Sequence, residues 1–209
     1  MIVVHHLENS RSQRILWLLE ELGQPYEVKR YERNKVTMLA PPELKRIHPL
    51  GKSPVIVDTE EGRTVAETGA IVDYLVEKAD GRLGAPAHRE AALRYRFWMY
   101  YAEGSLMPPL FAKLVVSRVP LFGKMAQKRL QPMIDVHLDF VEGELAQRPW
   151  FAGDALSGAD IMMSFPLEAA RSRAGLGASR PATIAWLDKI HARPAYQRAL
   201  KAGGPYAYA

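Results

Sequence analysis

The spacing of apolar residues changes period several times along the first eighty positions. Residues 2–6, opening on the β-branched run Ile2-Val3-Val4, read as a strand. Ile15, Leu18, Leu19 and Leu22 then recur on one helical face, which predicts a helix over 13–22. Gly23 supplies the stop. Residues 26–31 alternate and predict a second strand. Pro41-Pro42-Glu43 opens a short helix, because proline is tolerated in a first turn. Residues 55–57 and 64–66 read as two further strands, joined by an acidic turn over 58–62 in which Gly62 is the hairpin signal. Ala70, Ile71, Tyr74, Leu75 and Lys78 share a face, so a helix over 68–78 follows, with Thr68 as its N-cap. The order β-α-β-α-β-β-α predicts an α/β domain of about 80 residues.

Strand signal then almost disappears. Asp80-Gly81-Arg82-Leu83-Gly84-Ala85-Pro86 reads as a linker. Long helical patterns follow over 88–117, with a bend expected at Pro108-Pro109, and over 124–147. Ser157-Gly158-Ala159-Asp160 has the form of a capping box, with Asp where Glu or Gln is usual. Helices over 181–192 and 195–202 precede an irregular tail over 203–209. The expected class is α/β plus all-α, with a first domain at 1–80, a linker at 81–87 and a helical domain at 88–209.

Composition narrows the chemistry. The chain has 209 residues, 48% hydrophobic and 24% charged, as ordinary globular proteins are. It has no cysteine, which excludes disulfides, thiolate metal sites and a cysteine nucleophile; any thiol chemistry belongs to a ligand. The six histidines form no H-x-x-x-H pair, and adjacent His5 and His6 face opposite ways on a strand, so no metal site is expected. No apolar run is long enough to span a membrane, and the N-terminus does not read as a signal peptide, so cytoplasm is the expected compartment. The net charge of +5 is uneven, at −2 over residues 1–80 and +7 over 81–209. No basic cluster interleaves with aromatics as a nucleic-acid surface requires. The basic half reads as solvated helix faces, or as a field that draws anions toward a cleft.

Two short segments carry the candidate binding chemistry. Ser53-Pro54 stands at the mouth of a strand, where proline is allowed. It reads as an ordinary proline opening a strand, or as a turn at which Ser53 offers its N–H and C=O to an extended ligand. Glu67-Thr68 stands at a helix start. It reads as a cap with a solvated acid, or as a site where free N–H groups take a carboxylate while Glu67 takes an ammonium. An α-amino-acid head group has both charges.

With these residues in place, the chain resembles the cytosolic glutathione S-transferases from end to end, in a bacterial, serine-type-like form. Ser53-Pro54-Val55 matches the family's cis-proline element. Glu67-Thr68 matches its acid–hydroxyl pair, where serine is more usual than threonine. Residues 155–160 match the capping-box motif of the second domain's core helix. The resemblance implies a thioredoxin-like first domain, a helical second domain, and glutathione as co-substrate without a metal. It implies that Ser53 and Pro54 hold the cysteinyl unit, that Glu67 and Thr68 hold the γ-glutamyl head, and that Lys52 lies near the glycyl carboxylate. Glu103 falls near an acid that reaches across a homodimer. An electrophile pocket is expected along the first long helix, with Tyr100, Tyr101, Met107, Phe111 and Tyr208 as candidates; core packing or dimer contact explains the same residues.

The thiolate contact stays open among three residues. Ser10 lies four before Arg14, the serine-type spacing. Aligning with neighbouring classes moves the position to Asn9, and Ser12 is the third candidate. Ser10-x-x-Gln13 is itself a capping box. A cysteine-like thiol has a pKa near 8.5. Lowering it by about two units takes roughly 2.7 kcal/mol. One charge-assisted hydrogen bond of about 1.5–3 kcal/mol together with a helix start supplies that. The resemblance implies conjugation of glutathione to a small electrophile. A glutathione-dependent peroxidase or disulfide-bond reductase is the second expectation, and a non-catalytic glutathione-binding or regulatory protein the third.

Overall fold

The computed structural model describes residues 1–209. They divide into two compact units: residues 1–84 with 191–207 and Ala209, and residues 85–190 with Tyr208.

In the first unit, β1 (Ile2–Leu7), β2 (Tyr26–Tyr31), β3 (Val55–Asp58) and β4 (Arg63–Ala66) form one sheet in the order β2-β1-β3-β4. β1 and β2 run parallel, joined by α1 (Ser12–Leu22), as a crossover requires. β3 runs antiparallel to both β1 and β4. β1 is buried along its whole length, His5 and His6 included, because it is paired with a strand on either side. A short helix, α2 (Leu44–Ile47), precedes β3, and α3 (Thr68–Lys78) follows β4. Gly23 ends α1 in the left-handed conformation at φ 62°. Gly62 turns the β3–β4 hairpin at φ 63°. This is the expected thioredoxin-like arrangement.

The helix α9 (Pro194–Gly203) belongs to this unit, although the sequence pattern groups 88–209 together. It packs on α1: Trp17 meets Tyr196 edge to face at 5.5 Å, Arg193 clamps the Glu21 carboxylate at 2.5 and 2.9 Å, and Arg198 pairs with Glu20 at 2.6 Å. Such contacts are made between residues about 180 apart in sequence, beyond what a local pattern registers.

The second unit is helical: α4 (Arg89–Tyr101), α5 (Met107–Val116), α6 (Gly123–Leu145), α7 (Gly158–Arg173) and α8 (Pro181–His191). The expected bend at Pro108-Pro109 lies one turn earlier, as a π turn over Ala102–Leu106. The prolines lack an N–H and their rings press on the carbonyls four residues back, so the ladder widens just before them. α7 packs against α4 and α5 and is buried from Gly158 to Ala170. Trp98 stacks on Phe140 and meets Phe151 at a tilt, at 5.4 and 4.6 Å between ring centroids, to form the aromatic core. The capping box at Ser157 and Asp160 is formed. No helix is long and apolar enough to cross a membrane.

Candidate functional site

Strand register collects the candidate residues of the first unit at one edge of the sheet. His5 pairs with Val55, and Val55 pairs with Ala66. The loop after β1, the residues before β3 and the residues after β4 therefore lie side by side. These are Asn9-Ser10, Lys52-Ser53-Pro54 and Glu67-Thr68.

The Ser53–Pro54 bond is cis, as the resemblance implied. The Ser53 hydroxyl donates to the His5 carbonyl at 2.8 Å and accepts the Leu7 N–H at 3.2 Å. The side chain thus braces β1, and recognition is left to the backbone. Pro54 is buried and Lys52 exposed beside it.

Glu67, not Thr68, holds the cap position of α3, and Thr68 is the helix's first residue, buried at 5% exposure. The reason lies in the backbone. Glu67 sits at φ 70° and ψ 124°, a region a non-glycine residue enters at a cost of about 1–3 kcal/mol. Its exposed carboxylate makes no capping bond. The turn thus sets an acid directly before a helix N-terminus, charges suited to the two ends of an amino-acid head group.

The loop between β1 and α1 contains a buried polar network. Ser10 Oγ lies 2.7 Å from Ser12 Oγ and accepts the Ser12 N–H at 3.2 Å. Ser12 Oγ lies 2.9 Å from His6 Nδ1 and accepts the Leu7 N–H at 3.2 Å. Ser10 is 6% exposed and Ser12 fully buried. Asn9 is in the left-handed region at φ 48°, which asparagine tolerates, and its Oδ1 accepts the Ala207 N–H at 2.8 Å. The expected Ser10–Gln13 capping box is not made. The helix begins after Arg11, and both amide atoms of the buried Gln13 have no hydrogen-bond partner in the protein. Burial, with Arg30 nearby, pushes His6 down to about 4, so the ring is neutral at physiological pH. The sequence pattern weighs His6 only as a metal ligand. Its position, one residue before the end of β1 and six before a serine, is the one signal of this role that the sequence holds.

The second-unit candidates separate by burial. Tyr101 is buried and its hydroxyl lies 2.6 Å from His137 Nδ1, while Met107 is 3% exposed, so both serve packing. Tyr100 and Phe111 are exposed. Tyr208 meets Phe165 edge to face at 5.7 Å and takes a hydrogen bond from Arg173 at 3.2 Å. Glu103 lies half-buried in the π turn.

Comparison with known proteins follows the same two-part division. Residues 1–77 match the glutathione S-transferase N-terminal domain, and residues 106–194 match the glutathione S-transferase C-terminal domain. Glutathione S-transferase 3 of Schizosaccharomyces pombe is 40% identical over 186 residues, covering 82% of this chain and 75% of that protein. The crystal structure of a glutathione S-transferase from Actinobacillus pleuropneumoniae superposes with a TM-score of 0.87 at 35% identity, covering 100% of this chain and 95% of that one. A glutathione transferase family member from Pseudomonas fluorescens, crystallised with two glutathione molecules bound, superposes at 0.79 with 25% identity, covering 95% and 92%.

Proposed function

Since the chain belongs to the glutathione S-transferase family, we propose that it binds glutathione at the edge formed by Ser53, Glu67 and Thr68 and conjugates it to a small electrophile. The observation that carries this reading is the turn at Glu67. A strained backbone holding an exposed acid before a helix start is costly to keep for packing alone. It suits a γ-glutamyl head, whose ammonium meets the Glu67 carboxylate and whose carboxylate meets the N–H groups opening α3. The Ser53 backbone pairs with the cysteinyl unit, and Lys52 stands toward the glycyl carboxylate. That pairing brings the sulfur to the loop of Asn9 and Ser10, where a donor stabilises the thiolate. Among the candidates of the second unit, Tyr100, Phe111 and Tyr208 retain surface for an electrophile.

The same reading extends to a homodimer. Leu93, Phe97 and Tyr100 on α4 and Met133, Val136 and Phe140 on α6 expose apolar side chains at helical spacing, and the Phe97 and Phe140 rings lie 6.0 Å apart. Sedimentation that reports a monomer at micromolar concentration overturns this part alone.

Calorimetric titration with glutathione tests the binding site. Glu67→Gln is expected to weaken binding about tenfold to a hundredfold, the worth of one charge-assisted hydrogen bond. Undiminished affinity in that variant, or no binding by the wild type, rejects the reading. Turnover is followed with a chloronitrobenzene acceptor, a hydroperoxide and a mixed disulfide. Activity with the acceptor supports transfer, whereas activity only with the other two assigns peroxidase or reductase chemistry.

A further inference from the structure

Between Glu103 and Asp135 the chain carries no acid, while it carries Lys113, Arg118, Lys124, Lys128 and Arg129. The whole chain has 28 Lys+Arg and 23 Asp+Glu, so these five bases leave 23 against 23 elsewhere and account for the entire net charge of +5. The segment is the hairpin of α5 and α6, and its bases gather around the turn. The Lys113 ammonium is held by the Gln131 amide oxygen across the two helices. The other four bases are exposed, and no carboxylate pairs with them. Lys124 and Lys128 are one turn apart on α6, as are Met125 and Arg129 beside them.

The same turn exposes apolar side chains. Val119-Pro120-Leu121-Phe122 are four consecutive exposed residues with no polar side chain among them. Leu121 is 95% exposed and Phe122 65%, and Val115 and Met125 are exposed on the helix ends beside them. A run of this kind lowers solubility and is kept where it binds something. The backbone is shaped to present it. A Cβ at Gly123 would stand 2.5 Å from the Val116 carbonyl oxygen, so the glycine lets the two helix ends close. The Gly123 N–H donates to the Val119 carbonyl at 3.1 Å, and Leu121 takes φ 65°, a region that leucine rarely enters. The hairpin thus ends in an apolar tip ringed by cations alone.

We propose that the α5–α6 tip docks on an anionic lipid surface, with Leu121 and Phe122 entering the acyl boundary and Arg118, Lys124, Lys128 and Arg129 meeting the headgroup charges. Apolar insertion and attraction to anionic lipid add in such a contact. The chain then lies on a membrane through one turn and does not span it. Charge decides against a second copy of this chain as the occupant, because a two-fold contact at the tip sets four cations against the same four. Side-chain chemistry decides against a nucleic acid, because Phe122 is the one ring in the run from Val119 to Phe122 on which a base could stack. None of these residues belongs to the glutathione site.

The test is cosedimentation of the full chain with phosphatidylcholine vesicles, with and without about 30% phosphatidylserine, at about 0.05 M and about 0.5 M salt, between which the Debye length falls about threefold. Binding to the serine-containing vesicles at low salt is expected, with loss of it at high salt and on phosphatidylcholine alone. Lys124→Glu combined with Lys128→Glu is expected to weaken partitioning by about tenfold or more. Leu121→Asp should weaken it as much, and its exposed position leaves folding undisturbed. The four native tryptophans are buried, so the indole introduced by Phe122→Trp is the one open to quenching by lipids brominated in their acyl chains, and it should be quenched. No binding, equal binding to both vesicle types, or full binding by either charge or Leu121 variant overturns the proposal, and an unquenched indole overturns the insertion. Sedimentation equilibrium without lipid in which Leu121→Asp abolishes self-association assigns the tip to a second copy and overturns the lipid reading, as does tighter binding to a DNA duplex than to the vesicles.

Discussion

Two aspartates, one in each unit, have no exposed side-chain surface, yet they titrate in opposite directions. Asp58 closes β3 of the first unit. It accepts the Tyr74 hydroxyl at 2.6 Å and the Glu60 N–H at 3.0 Å, and pairs with the Lys78 ammonium at 2.9 Å. Although burial alone raises a carboxyl, these bonds hold Asp58 well below the usual carboxylate range. Asp160, in the first turn of α7, accepts the N–H groups of Phe151 and Ser157 at 3.0 and 2.9 Å and the Ser157 hydroxyl at 2.9 Å. These donors are neutral, and burial outweighs them, pushing Asp160 up to about 6. What separates the two is the balance of donors against burial: the Tyr74 hydroxyl, then the Lys78 ammonium and the N–H groups of Glu60 and Glu61, together outweigh desolvation at Asp58, whereas desolvation prevails at Asp160, whose donors are all neutral.

The largest effect is expected from Asp160→Ala. It leaves two buried backbone N–H groups unpaired and removes the cap of a helix that is buried along most of its length. A loss of about 3 kcal/mol is expected in urea denaturation, from hydrogen bonds to a charged group and the desolvation of their orphaned donors. A loss below about 1 kcal/mol would mean that the box is ornamental.

Next in size is Asp58→Asn, for which a loss of about 2 kcal/mol is expected at neutral pH, since Lys78 stays partly solvated. pH sharpens the contrast. The depressed pKa of Asp58 gives stability that is present above its unfolded value, near 4, and lost as pH falls below it. The raised pKa of Asp160 gives stability present below about 4 and lost as pH rises through about 6. The stability gap between wild type and Asp58→Asn should therefore narrow toward acid. The gap between wild type and Asp160→Asn should narrow between pH 4 and 6 as pH rises. Denaturant midpoints across pH 3–7 measure both, and parallel gaps would dissolve the comparison.

The same pair shows how far the sequence can be read. Ser157 and Asp160 are three residues apart, so their box is legible from spacing alone. By the same local reading Asp58 belongs to an acidic turn, because its partners Tyr74 and Lys78 lie sixteen and twenty residues on, on another element. The candidate site divides likewise. Ser53-Pro54 and Glu67-Thr68 are legible as motifs next to strand and helix starts. The reversed backbone at Glu67, the inward turn of Ser12 to His6, and the contact of α9 with α1 depend on sheet register and long-range packing, which no local spacing encodes.

The smallest expected effect concerns that last contact and joins stability to the site. A methyl group at Gly203 would run into the buried amide of Gln13 and crowd Leu16 at 3.1 Å. Gln13 has no exposed route of escape, so Gly203→Ala should cost about 1–2 kcal/mol through overpacking. Gln13 lies in the first turn of α1, next to the loop of Asn9 and Ser10, so a shift of α9 against α1 reaches that loop, to which neither buried aspartate is hydrogen-bonded. Gly203→Ala should therefore move the titration of bound glutathione, whereas Asp160→Ala and Asp58→Asn should lower stability and leave that titration where it was. Stability and thiol pKa measured on the three variants separate the two effects. If the aspartate variants shift the thiol as well, the loop at Ser10 reports global loosening rather than its own packing.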